Sequence, residues 1–271
     1  MTSWKVKNTN RLLTEIKNKL SGVYTVKDIR WAIDHNRCFV NKTLERFGST
    51  TVRAGDTISI QVERRPVFQK DPKRILFEDD HILVYDKPPL ITSEQLGKLT
   101  QCLLVHRLDR DTSGVMILAK TPEAKKNLEE QFKRRTTLKE YVALVEGNPG
   151  QEGTISGKMA PLSRREGAVI WGMCSSGLFS QTNWICLSNY GNRTLLRCIP
   201  FTGRTHQIRV HLAHIGHPLI GDTTYGHRSH TKALRPLLHA HSVQFLHPIT
   251  HNPCQFTAPI PSDFSKATKE E

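Results

Sequence analysis

Two stretches of the chain gather residues that could do chemistry. The first, Val105-His106-Arg107-Leu108-Asp109-Arg110-Asp111-Thr112-Ser113-Gly114, sets two carboxylates beside two arginines and a histidine. A carboxylate close to a guanidinium stays ionised because the opposite charge favours its charged form, so it can serve as a nucleophile or base near neutral pH. Asp111, followed by Thr-Ser-Gly, has an equally good structural use, since its side chain can accept bonds from backbone amides and hold the turn. Asp109 is therefore the candidate for chemistry, although the segment taken alone would also suit a charged turn. The second stretch, residues 202–226, opens with a turn at Gly203 and carries Ile208, Leu212 and Ile215 at helical spacing up to Gly216. Arg209 falls in the first turn of that helix and can point inward from a firm support. Arg204, in the turn, stays available for a phosphate.

Other chemistries fit poorly. Gly153-Thr154-Ile155-Ser156-Gly157-Lys158-Met159 approaches a phosphate loop, but its glycines are one residue too close and Met159 stands where a hydroxyl should ligate magnesium. His206, His211, His214 and His217 lack the HExxH pattern and a nearby carboxylate, so phosphate contact and helix packing are the expected uses and no metal is. There is no GxSxG element. Asp109 and Asp111, two residues apart in a turn, have no evident way to flank a sugar bond as a glycosidase requires. The six cysteines form no CxxC pair and are expected to be reduced core thiols.

The elements that must position these groups follow from periodicity and turn chemistry. Lys plus Arg number 39 against 25 Asp plus Glu, a formal charge of +14 that makes a polyanion the expected partner. No run of 18 apolar residues and no apolar leader stands out, so an intracellular, cytoplasmic chain outside the membrane is expected. Residues 11–20 and 26–33 space their apolar side chains as short amphipathic helices, with Asn36 suited to stop the second. Residues 38–41 and 57–62 read as strands, the latter after the turn Ala54-Gly55-Asp56. With Val40-Asn41 and Gly55-Asp56-Thr57-Ile58, this unit resembles the alpha-L RNA-binding module of ribosomal-protein type, a small α/β unit. The resemblance implies RNA contact by Lys27, Arg30 and Arg37. It lacks the usual Ser-Arg at the start of the second helix, where Thr25-Val26-Lys27 stand, and Asn36 replaces the turn glycine.

The stretch 64–74, basic and with two prolines, is expected to be a linker between a module at 1–63 and a second domain at 75–262. In that domain residues 75–85 give two apolar runs around an acidic turn, and 115–119, 141–145, 184–187 and 194–199 read as strands. Residues 122–133 read as a helix capped by Thr121 with Pro122 at its first position. The fold class expected is α+β, with a mixed, mainly antiparallel sheet. Residues 263–271 are expected to be a frayed tail.

The two chemical stretches also carry a family resemblance. His106-Arg107-Leu108-Asp109 with Thr112-Ser113-Gly114, followed by TGRTHQIRVHLAHIGHPLIGD from Thr202, resemble the RluA family of RNA pseudouridine synthases. Lys87-Pro88 and the run from Lys139 through Gly147 extend the resemblance over nearly all of 75–262. It implies Asp109 as catalytic carboxylate, Tyr141 as active-site tyrosine, Arg209 as the arginine paired with Asp109, and Arg107 as a residue that helps fill the space left by the displaced base. Further RNA contacts are expected at His106, Arg204 and His206. No cofactor is implied, a monomer is expected, and ribosomal RNA of the large subunit is the leading substrate. Transfer RNA, or a non-catalytic RNA-binding role for the same fold, are the alternatives.

Departures from the family pattern lie at Pro89-Leu90, in a short connection from 88 to 106, and around Ser180-Gln181-Thr182 and Cys198-Ile199-Pro200. The reaction needs a group that stabilises charge or attacks near the sugar or ring, a proton acceptor, and a closed pocket. Tyr141 would be a poor base at the ordinary phenol pKa of about 10, and Arg209 is expected to help by lowering it. A paired uracil cannot reach a buried carboxylate, so the target must be extruded from its stack at a cost of a few kcal/mol. The linker and the basic run Lys133-Arg134-Arg135 are expected to offset that through phosphates, though the same run also suits an ordinary charged helix end.

Overall fold

The computed structural model describes residues 1–64, 67–165, 168–226 and 233–269. The chain divides into two compact units, one built on Met1–Val67 and the other on Phe68–Ser163, Val169–Gly226 and Pro236–Glu271.

The smaller unit contains β1 (Thr2–Lys5), β2 (Asn10–Arg11), α1 (Leu12–Lys19), α2 (Val26–Asp34), β3 (Cys38–Val40), β4 (Thr43–Leu44), β5 (Thr51–Val52) and β6 (Thr57–Ile60). Leu12 and Ile16, one turn apart, are fully buried and give α1 its inner face. α2 starts on a capping box. The Thr25 hydroxyl accepts from Asp28 N–H at 3.2 Å and the Asp28 carboxylate accepts from Thr25 N–H at 3.0 Å. It ends at Asn36, whose φ of +61° is the left-handed geometry expected of that residue. Strands pair in the order β1-β6-β3-β4, with β2 and β5 as a separate pair, and Ile29, Ile33, Ile58 and Ile60 join the α1 residues in one core.

The larger unit contains β7 (Ile75–Glu78), β8 (Ile82–Lys87), α3 (Ser93–Thr100), β9 (Leu103–Leu104), β10 (Ser113–Ala119), α4 (Pro122–Arg134), β11 (Leu138–Glu146), β12 (Glu152–Arg165), β13 (Ala168–Cys174), β14 (Leu178–Asn189), β15 (Arg193–Pro200), α5 (Gln207–His214), β16 (Leu238–Leu246), β17 (Pro253–Thr257) and α6 (Ser262–Thr268). Among the described residues one sheet of eleven strands runs β13-β12-β14-β15-β11-β16-β10-β8-β7, with β17 on β16 and β9 on β10. The β10–β16 pair is parallel and the other registered pairs are antiparallel, so the class is α+β with a mixed, mainly antiparallel sheet.

All seven residues of β10 are buried, and with both faces covered the run from Val115 to Ala119 is apolar at every position. Val115 and Ile117 face one core with Ala124 and Leu128 of α4, while Met116 and Leu118 face another with Leu96 of α3 and Tyr85 of β8. α4 is capped as expected, Thr121 accepting from Ala124 N–H at 3.2 Å with Pro122 at the first position.

Several expectations need correction. The short connection after Pro88 holds a helix, α3, announced by a Thr92–Gln95 capping box that the apolar spacing alone did not reveal. Gly153–Met159, set aside above as a phosphate loop, is the first half of β12, paired residue by residue with β14. Residues 262–268 form a helix, with Phe264 and Ala267 buried and Arg193 donating to the Ala267 carbonyl, so the carboxyl-terminal segment packs where a frayed tail was expected. The junction between the units falls within 64–74. From Phe68 onward that stretch belongs to the larger unit, with Phe68 packed beside Tyr85 and the Asp71 N–H donating to the Tyr85 hydroxyl at 2.9 Å. Arg65 and Pro66 lie outside the described residues. All six cysteines are free, but only Cys38 and Cys198 are buried. Among the described residues no helix is long and apolar enough to cross a membrane.

Candidate active site

Asp109 sits in the loop between β9 and β10, and the backbone around it is tied down from three sides. The Ser93 hydroxyl, at the start of α3, bonds both the N–H and the carbonyl of Leu108 at 3.0 Å. The fully buried Lys87 ammonium donates to the carbonyls of Pro88, Ile91 and Arg110 at 3.0, 2.8 and 3.1 Å. Leu90 N–H also donates to the Arg110 carbonyl, at 2.9 Å. Leu90 holds a φ of +71°, a conformation glycine adopts without cost, which is what the substitution of Pro89-Leu90 for a glycine turn requires of the backbone. Immediately after the loop, Gly114 has φ +111° and a Cβ there would lie 2.1 Å from the Ala240 carbonyl oxygen. Only glycine lets β10 meet β16 at that point.

α5 delivers the second half of the site. Its six residues from Gln207 to Leu212 are all buried. Gln207 satisfies both ends of its amide. It accepts from the Thr202 hydroxyl at 2.6 Å and Arg204 N–H at 3.0 Å, and donates to the Gln181 carbonyl at 3.0 Å and the Thr182 hydroxyl at 2.9 Å. His211 bonds Ser180 and Thr182 at 2.9 and 3.0 Å. Ser180-Gln181-Thr182, a departure in sequence, is thus the strip of β14 to which α5 is fastened. Of the expected stripe, Ile208 and Leu212 are buried while Ile215 is exposed past the helix end.

The cleft is lined by Arg107, Asp109, Lys139, Tyr141, Thr202, Arg204, Thr205 and His206, among others. It brings together Asp109, Tyr141 and, immediately behind them, Arg209. The Arg209 guanidinium lies 3.7 Å from the Asp109 carboxylate. Its closer partner is Asp222, a residue that sequence reasoning missed: Nε and Nη2 reach the two Asp222 oxygens at 2.7 and 2.9 Å. Asp222 in turn accepts from Thr224 and Tyr225 N–H at 3.0 and 3.2 Å. The expected pairing of Arg209 with Asp109 is present, but the arginine is shared by two acids, with the tighter bond to the deeper one. The Gly-Asp-Thr-Thr-Tyr run after α5 was the available signal, since a buried arginine requires a buried acid.

Burial opposes the charge on Arg209, but Asp222 first and Asp109 after it hold its proton more tightly than usual. Burial likewise opposes the charge on Asp222, and Arg209 with the two amides keeps its carboxyl below the ordinary range. Tyr141 is carried by β11 at a bulge between Glu140 and Tyr141 that re-aims the side chain. Its phenol is pushed upward by burial and then by the negative charge of Asp109. The expectation that Arg209 lowers it is overturned, because the guanidinium is committed to two carboxylates.

His206 caps α5 with φ +56°. Its Nδ1 is 2.7 Å from the Tyr225 hydroxyl and its Nε2 is 3.9 Å from Asp109. Burial, then Arg209, lowers its pKa. Arg107 donates to the Thr205 hydroxyl at 2.8 Å from the rim, and Arg204 donates through Nε to the Phe179 carbonyl at 3.1 Å, so part of its guanidinium is already used. His106 is not on the cleft wall. It accepts from Ile117 N–H at 2.9 Å and stacks on Phe132, and burial depresses its pKa to about 3, so it is a neutral internal link where an RNA contact was expected.

Arg37 is likewise corrected, being ion-paired to Glu63 at 2.7 Å and laid over Trp31. Lys27 and Arg30 are exposed on α2. In the basic run, Lys133 and Arg134 both reach Glu130, whereas Arg135 ends α4. His206, His211 and His217 are engaged by separate partners, and among the described residues no group of three His, Cys, Asp or Glu side chains is placed to hold a metal ion.

The sheet, its covering helices and a cleft built on one loop carboxylate define a class: an α+β domain with an acid in the loop that leads into a central strand. Human RNA pseudouridylate synthase domain containing 1 shares this architecture with a TM-score of 0.61 and 28% identity, over 68% of this chain and 82% of that one. The RNA pseudouridylate synthase family matches residues 72–214. Curated relatives include ribosomal large subunit pseudouridine synthase D of Xanthomonas campestris, 33% identical over 80% of this chain and 76% of that protein. The protein of the same name from Nitrosomonas europaea is 34% identical over 80% of this chain and 70% of its own. The chain belongs to the RNA pseudouridylate synthase family and is an isomerase acting on RNA.

Proposed function

We propose that this protein isomerises specific uridines of large-subunit ribosomal RNA, in the cytoplasm, with Asp109 as the catalytic carboxylate. The observation that carries the assignment is the Asp109 carboxylate on the cleft wall beside Tyr141, with the buried Arg209 3.7 Å away and itself anchored by Asp222. In the reaction the N1–C1′ bond breaks and a C5–C1′ bond forms, while C5 loses a proton and N1 gains one, so no oxidant or other co-reactant is consumed. Asp109 is the group that adds to the sugar or ring, or draws a proton towards a glycal, and one position serves each route. Tyr141, held as a neutral phenol, acts as a wall and hydrogen-bond donor to the detached uracil. Arg209 is the positioning residue for Asp109.

His206 joins the site as a second donor. The Tyr225 hydroxyl accepts from Trp171 N–H at 3.1 Å and lies 2.7 Å from His206 Nδ1, and in the tautomer whose Nδ1 takes the hydroxyl proton the Nε2 proton faces Asp109. Arg107, Arg204 and Lys139 supply the cationic wall for the phosphates of an extruded nucleotide. The smaller unit is read as an alpha-L-type RNA-binding module working through the exposed Lys27 and Arg30. Large-subunit RNA is favoured over transfer RNA by the names of the curated relatives.

The test is carbodiimide mapping of pseudouridine in ribosomal and transfer RNA from cells with and without the gene, repeated with Asp109→Ala. The expected result is loss of one or a few sites in large-subunit RNA in both the deletion and the variant. Sites lost only from transfer RNA would overturn the substrate, and full modification by the variant would overturn Asp109.

A further inference from the structure

The groups described so far handle one nucleotide, but extrusion also strips its neighbours of a stacking partner. On the rim of the cleft stands Phe201, between two residues that line the cavity, Pro200 and Thr202. Those two face the cleft, whereas Phe201 is 52% exposed. It is also rigidly placed. Its N–H donates to the Gln181 carbonyl at 2.9 Å, and Gln181 N–H donates to the Thr202 hydroxyl at 3.0 Å.

One side of the ring is covered by the Arg135 guanidinium, centred 5.0 Å from the ring centroid. The backbone that carries Arg135 is fixed too, since with φ +61° its N–H closes the end of α4 on the carbonyls of Gln131 and Phe132. Lys139 lines the adjoining wall, where burial first and the field of Arg135 after it lower its pKa. Among the described residues neither cation is ion-paired to an acid.

A flat ring with an open side, stiffened by a guanidinium and flanked by two unneutralised cations, has the composition of a platform for a single unstacked base and its phosphate. We infer that Phe201, backed by Arg135, stacks the nucleobase adjoining the target uridine, and that Arg135 and Lys139 hold the phosphate between the two nucleotides. Because every base has a π face, this platform adds affinity for an opened strand and little choice of sequence. The inference rests on the reading of the cleft as the seat of an extruded uridine.

The experiment uses the full chain and a stem-loop RNA copied around the mapped uridine, with the base on each side of that uridine replaced in turn by an abasic residue. Phe201→Leu keeps an apolar side chain of similar bulk without a π face, and Phe201→Trp restores one. Phe201→Leu is expected to raise KM by roughly five- to a hundredfold, the range that loss of one base–aromatic stack produces. Its kcat is expected to stay within about twofold of wild type, and Phe201→Trp to return KM to near the wild-type value. One of the two abasic substrates should cost wild type the same factor and cost Phe201→Leu nothing further. An unchanged KM for Phe201→Leu, or an equal abasic penalty in both proteins, overturns the platform. A stem-loop that wild type leaves unmodified would instead overturn the reading of the cleft, and the platform with it.

Discussion

Helices α2 and α5 both carry basic residues, and they spend them in opposite directions. On α2 the cations Lys27 and Arg30 face solvent while Ile29, Ala32 and Ile33 fill the core beneath. On α5 no side is left to solvent over the first six residues, and Arg209 is 7% exposed with two carboxylates around it. The exposed cations contribute a field that is screened by salt and tolerates movement. The buried one contributes geometry. Held by two bonds to Asp222, it cannot follow a mobile phosphate, and it sets the Asp109 carboxylate against the cleft. Charge left to solvent and charge buried against carboxylates are thus separated along the chain.

Breaking the acid on the reactive side of Arg209 should have the largest effect. Asp109→Asn is expected to lower kcat by about a thousandfold or more while the thermal midpoint stays near wild type, because Asp222 still pairs the guanidinium. Single-turnover assays alongside calorimetry check both halves. Breaking the acid on the inner side should invert the pattern. Asp222→Ala leaves a buried guanidinium with only the 3.7 Å contact to Asp109, and a stability loss of about 3–5 kcal/mol in urea denaturation is expected. A variant as stable as wild type would show that Arg209 needs no inner partner.

Acid titration sharpens the comparison within the larger unit. Burial, reinforced by His214, lowers the His211 pKa from its ordinary 6.5 to about 4, so the folded protein favours the neutral ring. The unfolded chain binds that proton first. The stability His211 contributes is complete above pH 6.5 and is lost as pH falls towards 4. His211→Gln should flatten the pH dependence of the unfolding free energy across that window, and an unaltered slope would refute the assignment. The smallest change is expected in the other unit. Lys27→Ala with Arg30→Ala should raise KM a few-fold at moderate salt, leave kcat unchanged, and reduce the salt slope of RNA binding by about one to two counterions.

The legible parts of the molecule were those that a short window could contain. The helices at 12–19, 26–34 and 122–134 show apolar spacing, the last two with side-chain caps as well, and β10 shows as an apolar run, because helix and strand periods write themselves into neighbouring residues. α3 carried a capping box but little apolar spacing, so its signal was present in a form that periodicity misses. Of the long strands β12 and β14 only 184–187 is legible, since their exposed faces are mixed and their partners on each other lie between 19 residues, Met159 to Leu178, and 33 residues, Glu152 to Ile185, away. Asp109 stood out by its neighbours in sequence. Asp222 did not, for its neighbour is an arginine thirteen residues earlier, on the far side of a helix end.

What the sequence alone determined was the class of chemistry and its carrier: a basic chain, a loop with one well-placed acid, and a helix bringing an arginine after a glycine turn. Tertiary structure decided which acid the arginine grips, that Tyr141 keeps its proton, that His106 and Arg37 are engaged by protein partners, and that Phe201 is left on the rim. Each of those outcomes depends on burial and on partners brought together by sheet register, and a side chain's solvation is fixed only when distant strands close around it.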